Sequence, residues 1–292
     1  MIRPYVAEDA RRLAALHNRV FTDRGTTLDG FREWVEGTLD SGGLVWVVAE
    51  PQLIGFALIR PVPGLQGVGD LTGCIVPERQ RKGLGSRLLR FVIEELKSTD
   101  FWQIAHCVTS LDSPAASFLR QHDFFVEHEE WLLELDDFSG FAEIHGGQSL
   151  RLQTFARETA VSLFCRLYEE SFNGLPWNEP FERSEVWETL PDSRDMLFLT
   201  LNGDPIGFAW IGLDANGKGL IEPLGIVRAE QRKGYGRALL LRSVQELAQR
   251  GAKRVEIGAW LNNKAAIHLY TSLGFRHRKT FTYLAANVKK RR

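Results

Sequence analysis

Ten residues beginning at Gln80, QRKGLGSRLL, return as QRKGYGRALL beginning at Gln231, 151 positions later. The repetition extends on both sides of this run. Ile54-Gly55-Phe56-Ala57 recurs as Ile206-Gly207-Phe208-Ala209, Ile75-Val76 as Ile226-Val227, and Ala115 and Phe124 fall on Ala266 and Phe275. A period this long, held over several separated segments, means two whole domains and not a solenoid of short repeats. The length of 292 residues agrees, at about 150 residues per domain. The segment 137–149, DDFSGFAEIHGGQ, carries three glycines and little periodicity and reads as a short, ordered connector, so the domains are expected at 1–142 and 143–292.

Both halves carry the same order of elements. An acidic start and apolar spacing predict a first helix over Glu8 to Phe21 and again over Glu158 to Phe172. β-Rich runs follow, Leu44 to Ala49 with Leu53 to Arg60, and Met196 to Leu201 with Pro205 to Leu213. Pro51-Gln52 and Asn202-Gly203 lie between them as hairpin turns. An apolar strand comes next, Leu71 to Val76 or Leu220 to Val227, then a glycine turn and a helix such as Arg237 to Arg250. A strand over Val255 to Ala259 leads to a helix over Lys264 to Ser272, with Gly274 as its C-cap. The fold class is α/β with a mixed sheet.

Composition narrows the function. A net charge of −1 gives no global pull toward nucleic acid, so Lys289, Lys290, Arg291 and Arg292 read as a solvated basic end. No apolar stretch long enough for a membrane span or typical of a signal peptide is present, which predicts a cytoplasmic protein with no membrane partner. Cys74, Cys107 and Cys165 have neither CxxC spacing nor nearby histidine pairs, so no metal site is expected and the thiols read as free and buried.

A Gln-Arg-Lys-Gly-x-Gly turn between a strand and a helix aims backbone N–H groups outward at a helix N-terminus, and its glycines admit a ligand closely. That construction binds phosphates. The third small residue of a dinucleotide fingerprint is missing, because Leu88 and Leu239 stand there, and no Gly-Lys-Ser/Thr follows four spacers as in a Walker loop. The turn resembles the Q/R-x-x-G-x-G/A motif of the GNAT acetyltransferase superfamily in both halves. Asn263 to Phe275 closely resembles that superfamily's N-x-x-A-x-x-x-Y-x-x-x-G-F segment.

The resemblance implies two tandem GNAT-like acyltransferase domains and acetyl-CoA as donor. It implies a bulged strand that splays from its neighbour to form a V-shaped groove for the pantetheine arm, with backbone groups of Ile226 and Val227, or Ile75 and Val76, along it. The pyrophosphate would lie on Gln231, Arg232, Lys233, Gly234, Tyr235, Gly236 and Arg237, or on Gln80, Arg81, Lys82, Gly83, Leu84, Gly85 and Ser86, with Asn263 and Ala266 completing the second site. Tyr270 takes the family's place for the acid that protonates the departing thiolate, a role that suits a phenol of pKa about 10. For the base, Glu222 and Glu256 both remain open. Related enzymes often place a glutamate two residues before Glu222, where Leu220 stands, and a two-residue shift on a strand keeps the face.

The same offset puts Asp112 at the place of Asn263, Leu119 at Tyr270, Asp123 at Gly274 and Leu71 at Glu222. The C-terminal half is therefore expected to be active and the N-terminal half catalytically degenerate. The expected reaction is direct transfer of acetyl to a primary amine of a small metabolite. Acetylation of a protein N-terminus or lysine, and a non-catalytic acyl-CoA sensor, are the alternatives. The loop Phe172 to Asn178 falls where the superfamily varies for its acceptors, and two domains in one chain predict a monomer.

Overall fold

Asn202 and Gly203 turn the chain with φ of +53° and +97°, the left-handed pair that a tight hairpin requires, and so join two antiparallel strands. The structure, a computed structural model, describes residues 1–22, 24–138 and 150–290. Most of the connector expected at 137–149, and the terminal Arg291 and Arg292, lie outside the described residues.

In chain order the elements are β1 (Ile2–Pro4), α1 (Ala10–Val20), α2 (Leu28–Asp40), β2 (Leu44–Glu50), β3 (Gln52–Pro61), β4 (Val68–Ile75), α3 (Leu84–Leu96), β5 (Gln103–Val108), α4 (Pro114–Arg120) and β6 (Phe125–Leu135). They continue as β7 (Leu150–Gln153), α5 (Arg157–Phe172), α6 (Arg183–Thr189), β8 (Met196–Leu201), β9 (Asp204–Leu213), β10 (Lys218–Ile226), α7 (Tyr235–Gln249), β11 (Arg254–Trp260), α8 (Lys264–Ser272) and β12 (Arg276–Asn287). The expected mixed α/β architecture is present. Helices α2 and α6 and strands β1, β6, β7 and β12 add to the elements read from the sequence.

The chain forms two compact units, Met1–Glu127 with Thr282–Arg292, and His128–Phe281. They depart from a division at 142/143 for a reason of strand pairing. In unit 1 the sheet order is β1-β2-β3-β4-β5-β12, and Thr282–Asn287 of β12 runs antiparallel to β5 from Val108 to Gln103. In unit 2 the order is β6-β11-β10-β9-β8-β7, and Glu130–Leu135 of β6 pairs antiparallel with Trp260–Val255. The strand that follows each repeated segment thus completes the sheet of the other unit.

Each unit has its own core. In unit 1 Phe31, Phe56, Trp34 and His17 pack ring against ring, with Phe31 edge-on to Phe56 at 6.3 Å between centroids. In unit 2 Phe164 on α5 meets Phe208 and Trp210 of β9 edge-on at 5.1 and 5.5 Å, while Leu239, Leu240, Val244 and Leu247 of α7 join the same core. Edge-to-face pairs of this kind add to the burial of their area.

The helix that precedes the last strand ends alike in both repeats. Phe275 N–H donates to Tyr270 O at 3.1 Å and Phe124 N–H to Leu119 O at 3.2 Å, so Leu119 stands at the place of Tyr270. The residue between is left-handed in both, Gly274 at +91° and Asp123 at +64°. The N-caps differ from the sequence alignment. Asn263 Oδ1 accepts from Ala266 N–H at 3.2 Å, and its counterpart is Ser113, whose Oγ accepts from Ala116 N–H at 3.1 Å, not Asp112. The cause is length, since α4 has 7 residues and α8 has 9. An aspartate held left-handed costs free energy that glycine does not. Asp123→Gly is expected to stabilise the chain by ~0.5–1 kcal/mol, read as a higher midpoint in urea with an unchanged slope.

Candidate active site

β10 and β11 run parallel and are paired from Lys218–Arg254 to Ile221–Ile257. Both strands continue past that point, and their pairing does not. Pro223 has no N–H to give a ladder, and the register of β10 against β9 shifts between Ile221 and Leu224, so β10 bulges where the two strands part. The parting leaves an opening between Glu222–Ile226 on one side and Gly258–Trp260 on the other.

The backbone of β10 decides what faces the opening. Val227 donates its N–H to Ile206 O at 2.9 Å, so that group is committed to β9. Antiparallel pairing alternates, so Ile226 and Leu224 turn their N–H groups away from β9 into the opening. Leu224 was not singled out from the sequence. Ile226 O is held by Gln231 Nε2 at 2.9 Å, which fixes the start of the glycine turn.

That turn follows the same course in both units. A short 3₁₀ turn, Arg228–Glu230, precedes Gln231; Arg232 and Gly234 then adopt φ of +61° and +87°, and α7 begins at Tyr235. A side chain at Gly234 would meet nothing within 4 Å, so the turn is open on its ligand face. The first helical bond runs from Ala238 N–H to Gly234 O at 3.1 Å, and helix geometry leaves the preceding N–H groups without helical partners. Together with the helix dipole they suit an anion. Arg232 and Arg237 are exposed beside them, whereas Lys233 folds back onto Glu230 at 3.0 Å. In unit 1, Gln80 Nε2 holds Ile75 O at 2.7 Å, Arg81 and Gly83 have φ of +57° and +76°, Lys82 reaches Glu78 O, and Ser86 Oγ lies 2.8 Å from His122 Nε2.

The two candidate bases occupy different places. Glu256 pairs with Lys218 at 3.4 Å within the closed part of the β10–β11 ladder. Glu222 is the first residue beyond that ladder, and its Oε1 lies 3.4 Å from where a Cβ on Gly258 would be. Its carboxylate therefore reaches across to β11, in contact range of the bare backbone at Gly258. Water reaches Glu222, yet the protein crowded around the groove desolvates its charge. Desolvation first, then the charges of Glu130 and Glu179, raise its pKa to about 7.

Tyr270 on α8 is 5% exposed and packs near Phe275 in the unit 2 core. Burial, and then the charge of Glu222, push its phenol well above the ordinary value, so the hydroxyl keeps its proton at neutral pH. Asn263 spends its carbonyl capping α8, which sets where that helix begins and so where Tyr270 stands. Tyr168 on α5 also feels Glu222; burial lifts it to about 12, and its hydroxyl accepts from Glu179 N–H at 3.2 Å. That bond ties the loop after α5 to the site wall. Burial lifts the Cys74 thiol to about 12, which makes it a poor nucleophile.

Glu130, Glu179, Gly258 and Leu224 are the site residues that sequence reasoning passed over. A glycine inside the strand run Val-Glu-Ile-Gly-Ala-Trp and a proline inside β10 were the available signals, since each marks a close approach or a bulge. No such signal marks Glu130 or Glu179.

No helix among the described residues is long and apolar enough to cross a membrane, and no group of three or more His, Cys, Asp or Glu among them could hold a metal ion. Comparison with known proteins agrees with the geometry. The model of the acetyltransferase (GNAT) family matches residues 8–124 and again 161–275. A mycothiol acetyltransferase of Amycolatopsis mediterranei is 25% identical over 261 residues, 84% of each chain. One of Kytococcus sedentarius is 31% identical over 246 residues, 80% of this chain and 79% of that one. The crystal structure of a GCN5-related N-acetyltransferase from Sphaerobacter thermophilus superposes with a TM-score of 0.72 at 17% identity, covering 99% of this chain and 96% of that one, which shows a shared fold. With the family matched once in each repeat, the chain belongs to the GNAT acetyltransferases as a tandem member and is an acetyl-transferring enzyme.

Proposed function

We propose that this protein transfers acetyl from acetyl-CoA to a primary amine of a small metabolite, and that the reaction takes place in unit 2. The observation that carries the proposal is Glu222, a carboxylate with a pKa of about 7 at the base of the opening, where the β10–β11 ladder ends, and within electrostatic reach of the buried Tyr270.

The residues present fit the donor. Inward N–H groups of Leu224 and Ile226 suit the amides of an extended arm, the opening past Ile221 admits it, and the turn at Gly234 suits a pyrophosphate. When bound, acetyl-CoA supplies an activated acyl thioester. Glu222 takes a proton from the acceptor's ammonium and so frees the nucleophilic lone pair, directly or through one water. A backbone N–H facing the opening, that of Ile226 or Leu224, steadies the carbonyl oxygen as charge develops on it. Tyr270 gives its proton to the thiolate sulfur as the C–S bond breaks, and the proton that the nitrogen sheds on becoming an amide restores the phenol.

Glu256 is left without this role because Lys218 holds it in the closed ladder. Glu130 and Glu179 place negative charge around Glu222, which favours an acceptor that arrives as a cation. Relatives named mycothiol acetyltransferases support a small-molecule acceptor. A thiol-release assay with acetyl-CoA against small amines, amino sugars, polyamines and peptides tests the proposal. Turnover confined to peptides, or release of thiol only by hydrolysis, would overturn the acceptor class.

Two expectations follow for variants. With the favoured amine, kcat/KM should fall about tenfold per pH unit below about 7, where Glu222 takes up its proton; Glu222→Gln should remove that limb and cost ~10²–10⁴-fold in rate. The linkage has a definite sign. A carboxyl whose folded pKa lies above its unfolded one stabilises the fold most below the unfolded pKa, and that contribution is lost as pH rises through about 7. Glu222→Gln should therefore melt above the wild type at pH 8, with the gap closing below pH 5, in scanning calorimetry. Tyr270→Phe, which keeps the ring, should leave the acetyl-CoA Kd within twofold and lower kcat by ~10²-fold, measured by titration and steady-state assay.

A further inference from the structure

The two units are built alike up to the point where their strands part, and they differ at the next pair of positions. In unit 1 β4 and β5 are paired from Val68–Gln103 to Asp70–Ala105, and in unit 2 the last parallel pair is Ile221–Ile257. The residues that follow are Leu71 and His106 in unit 1, Glu222 and Gly258 in unit 2.

β4 keeps one uninterrupted register against β3 from Pro61–Gly69 to Gly55–Ile75, because Thr72 stands where Pro223 breaks β10. Val76 donates its N–H to Ile54 O at 2.8 Å, so Ile75, Gly73 and Leu71 turn their backbone groups away from β3 into the gap. The carbonyl of Leu71 is met there. His106 Nδ1 lies 2.7 Å from Leu71 O. A carbonyl can only accept, so Nδ1 carries the proton and the imidazole donates. A backbone carbonyl freed by the parting of two strands needs a partner from water or a ligand; in unit 1 a side chain from the facing strand supplies it. In unit 2 the facing residue is Gly258, which has no side chain to offer a backbone carbonyl, and the carboxylate of Glu222 lies beside it, 3.4 Å from where a Cβ would stand.

The geometry points to His106 as the residue that closes the cleft of unit 1 to the acyl end of a thioester donor, so that the chain carries one acetyl-CoA, in unit 2. This rests on the proposed reading of unit 2 as the donor site. The imidazole sits at the base of the cleft, at the position where unit 2 holds Glu222, while the glycine turn at the cleft's other end keeps its left-handed Arg81 and Gly83. The loss of function in unit 1 is therefore local. The turn for the anion persists, and the place for the reacting carbonyl is filled. Leu119 at the place of Tyr270 accords with a cleft that no acyl group enters.

Equilibrium dialysis of the full chain with acetyl-radiolabelled CoA thioester reads the stoichiometry. The wild type should bind one acetyl-CoA per chain and His106→Gly two, with the added equivalent lost when Gly83→Val disables the turn of unit 1. Turnover with the favoured amine should be the same in wild type and His106→Gly. A wild type that already binds two, one of them sensitive to Gly83→Val, would overturn the inference, as would a folded His106→Gly whose stoichiometry does not rise. A wild type that binds none counts against the donor reading of unit 2; the His106 inference is judged on the difference between the two proteins, which remains readable from any baseline. Should His106→Gly fail to fold, Gly258→His puts the same imidazole at the base of the unit 2 cleft and should abolish acetyl-CoA binding there. Retention of binding by that variant would overturn the inference.

Discussion

Everything particular to this molecule depends on hydrogen bonds that two neighbouring strands stop making. A parallel pair such as β10 and β11 normally satisfies its backbone groups along its whole length, and unpaired buried groups are costly. Past Ile221 and Ile257 the ladder ends while both strands run on. The N–H groups of Leu224 and Ile226 then face a gap, and a ligand that brings its own amides can replace the missing strand. The bulge at Pro223 makes the parting local, since Pro223 cannot donate and β10 resumes its pairing with β9 at Leu224.

The turn that follows is held by the same economy of backbone groups. Gln231 reaches back to Ile226 O, and Gln80 to Ile75 O, so each strand's last free carbonyl is satisfied by the first residue of the turn. The chain then passes through a left-handed arginine before a left-handed glycine. Non-glycine residues adopt that conformation at a cost, and Arg81 and Arg232 both do, at +57° and +61°. The strain sits next to the helix N-terminus, where it bends the backbone so that several N–H groups converge.

Repetition and local chemistry made much of this legible. The Asn202-Gly203 turn, the glycine turns and the bounds of α8 follow from residues whose conformational needs are strong and short-range. The exchange of final strands was not legible, because Phe125–Leu135 and Arg276–Asn287 carry no mark of which partner they will find; pairing of that kind is decided by tertiary contact. Helix α2 escaped because Gly30 and Gly37 dilute its pattern, although Thr27 Oγ1 caps it by accepting from Gly30 N–H at 3.1 Å. In the site, the sequence offered Glu222 and Glu256 as equals. Their separation needs the end of the β10–β11 ladder, which falls between them in space and is invisible in their spacing.

Glu222 and His106 answer one structural question in two ways. Where paired strands part, the base of the gap must be filled by something that satisfies the backbone or by something a substrate can displace or use. In unit 1 an imidazole bonds the freed carbonyl and the position becomes part of the fold. In unit 2 the facing strand offers only glycine, and a carboxylate lies beside it at a cost that appears as its raised pKa. A group held away from its preferred ionisation state weakens the fold at neutral pH, and such positions persist where reactivity needs them. On the proposed reading, His106 and Glu222 thus separate a strand pair closed by a side chain from one left open for chemistry, within two copies of one repeated plan.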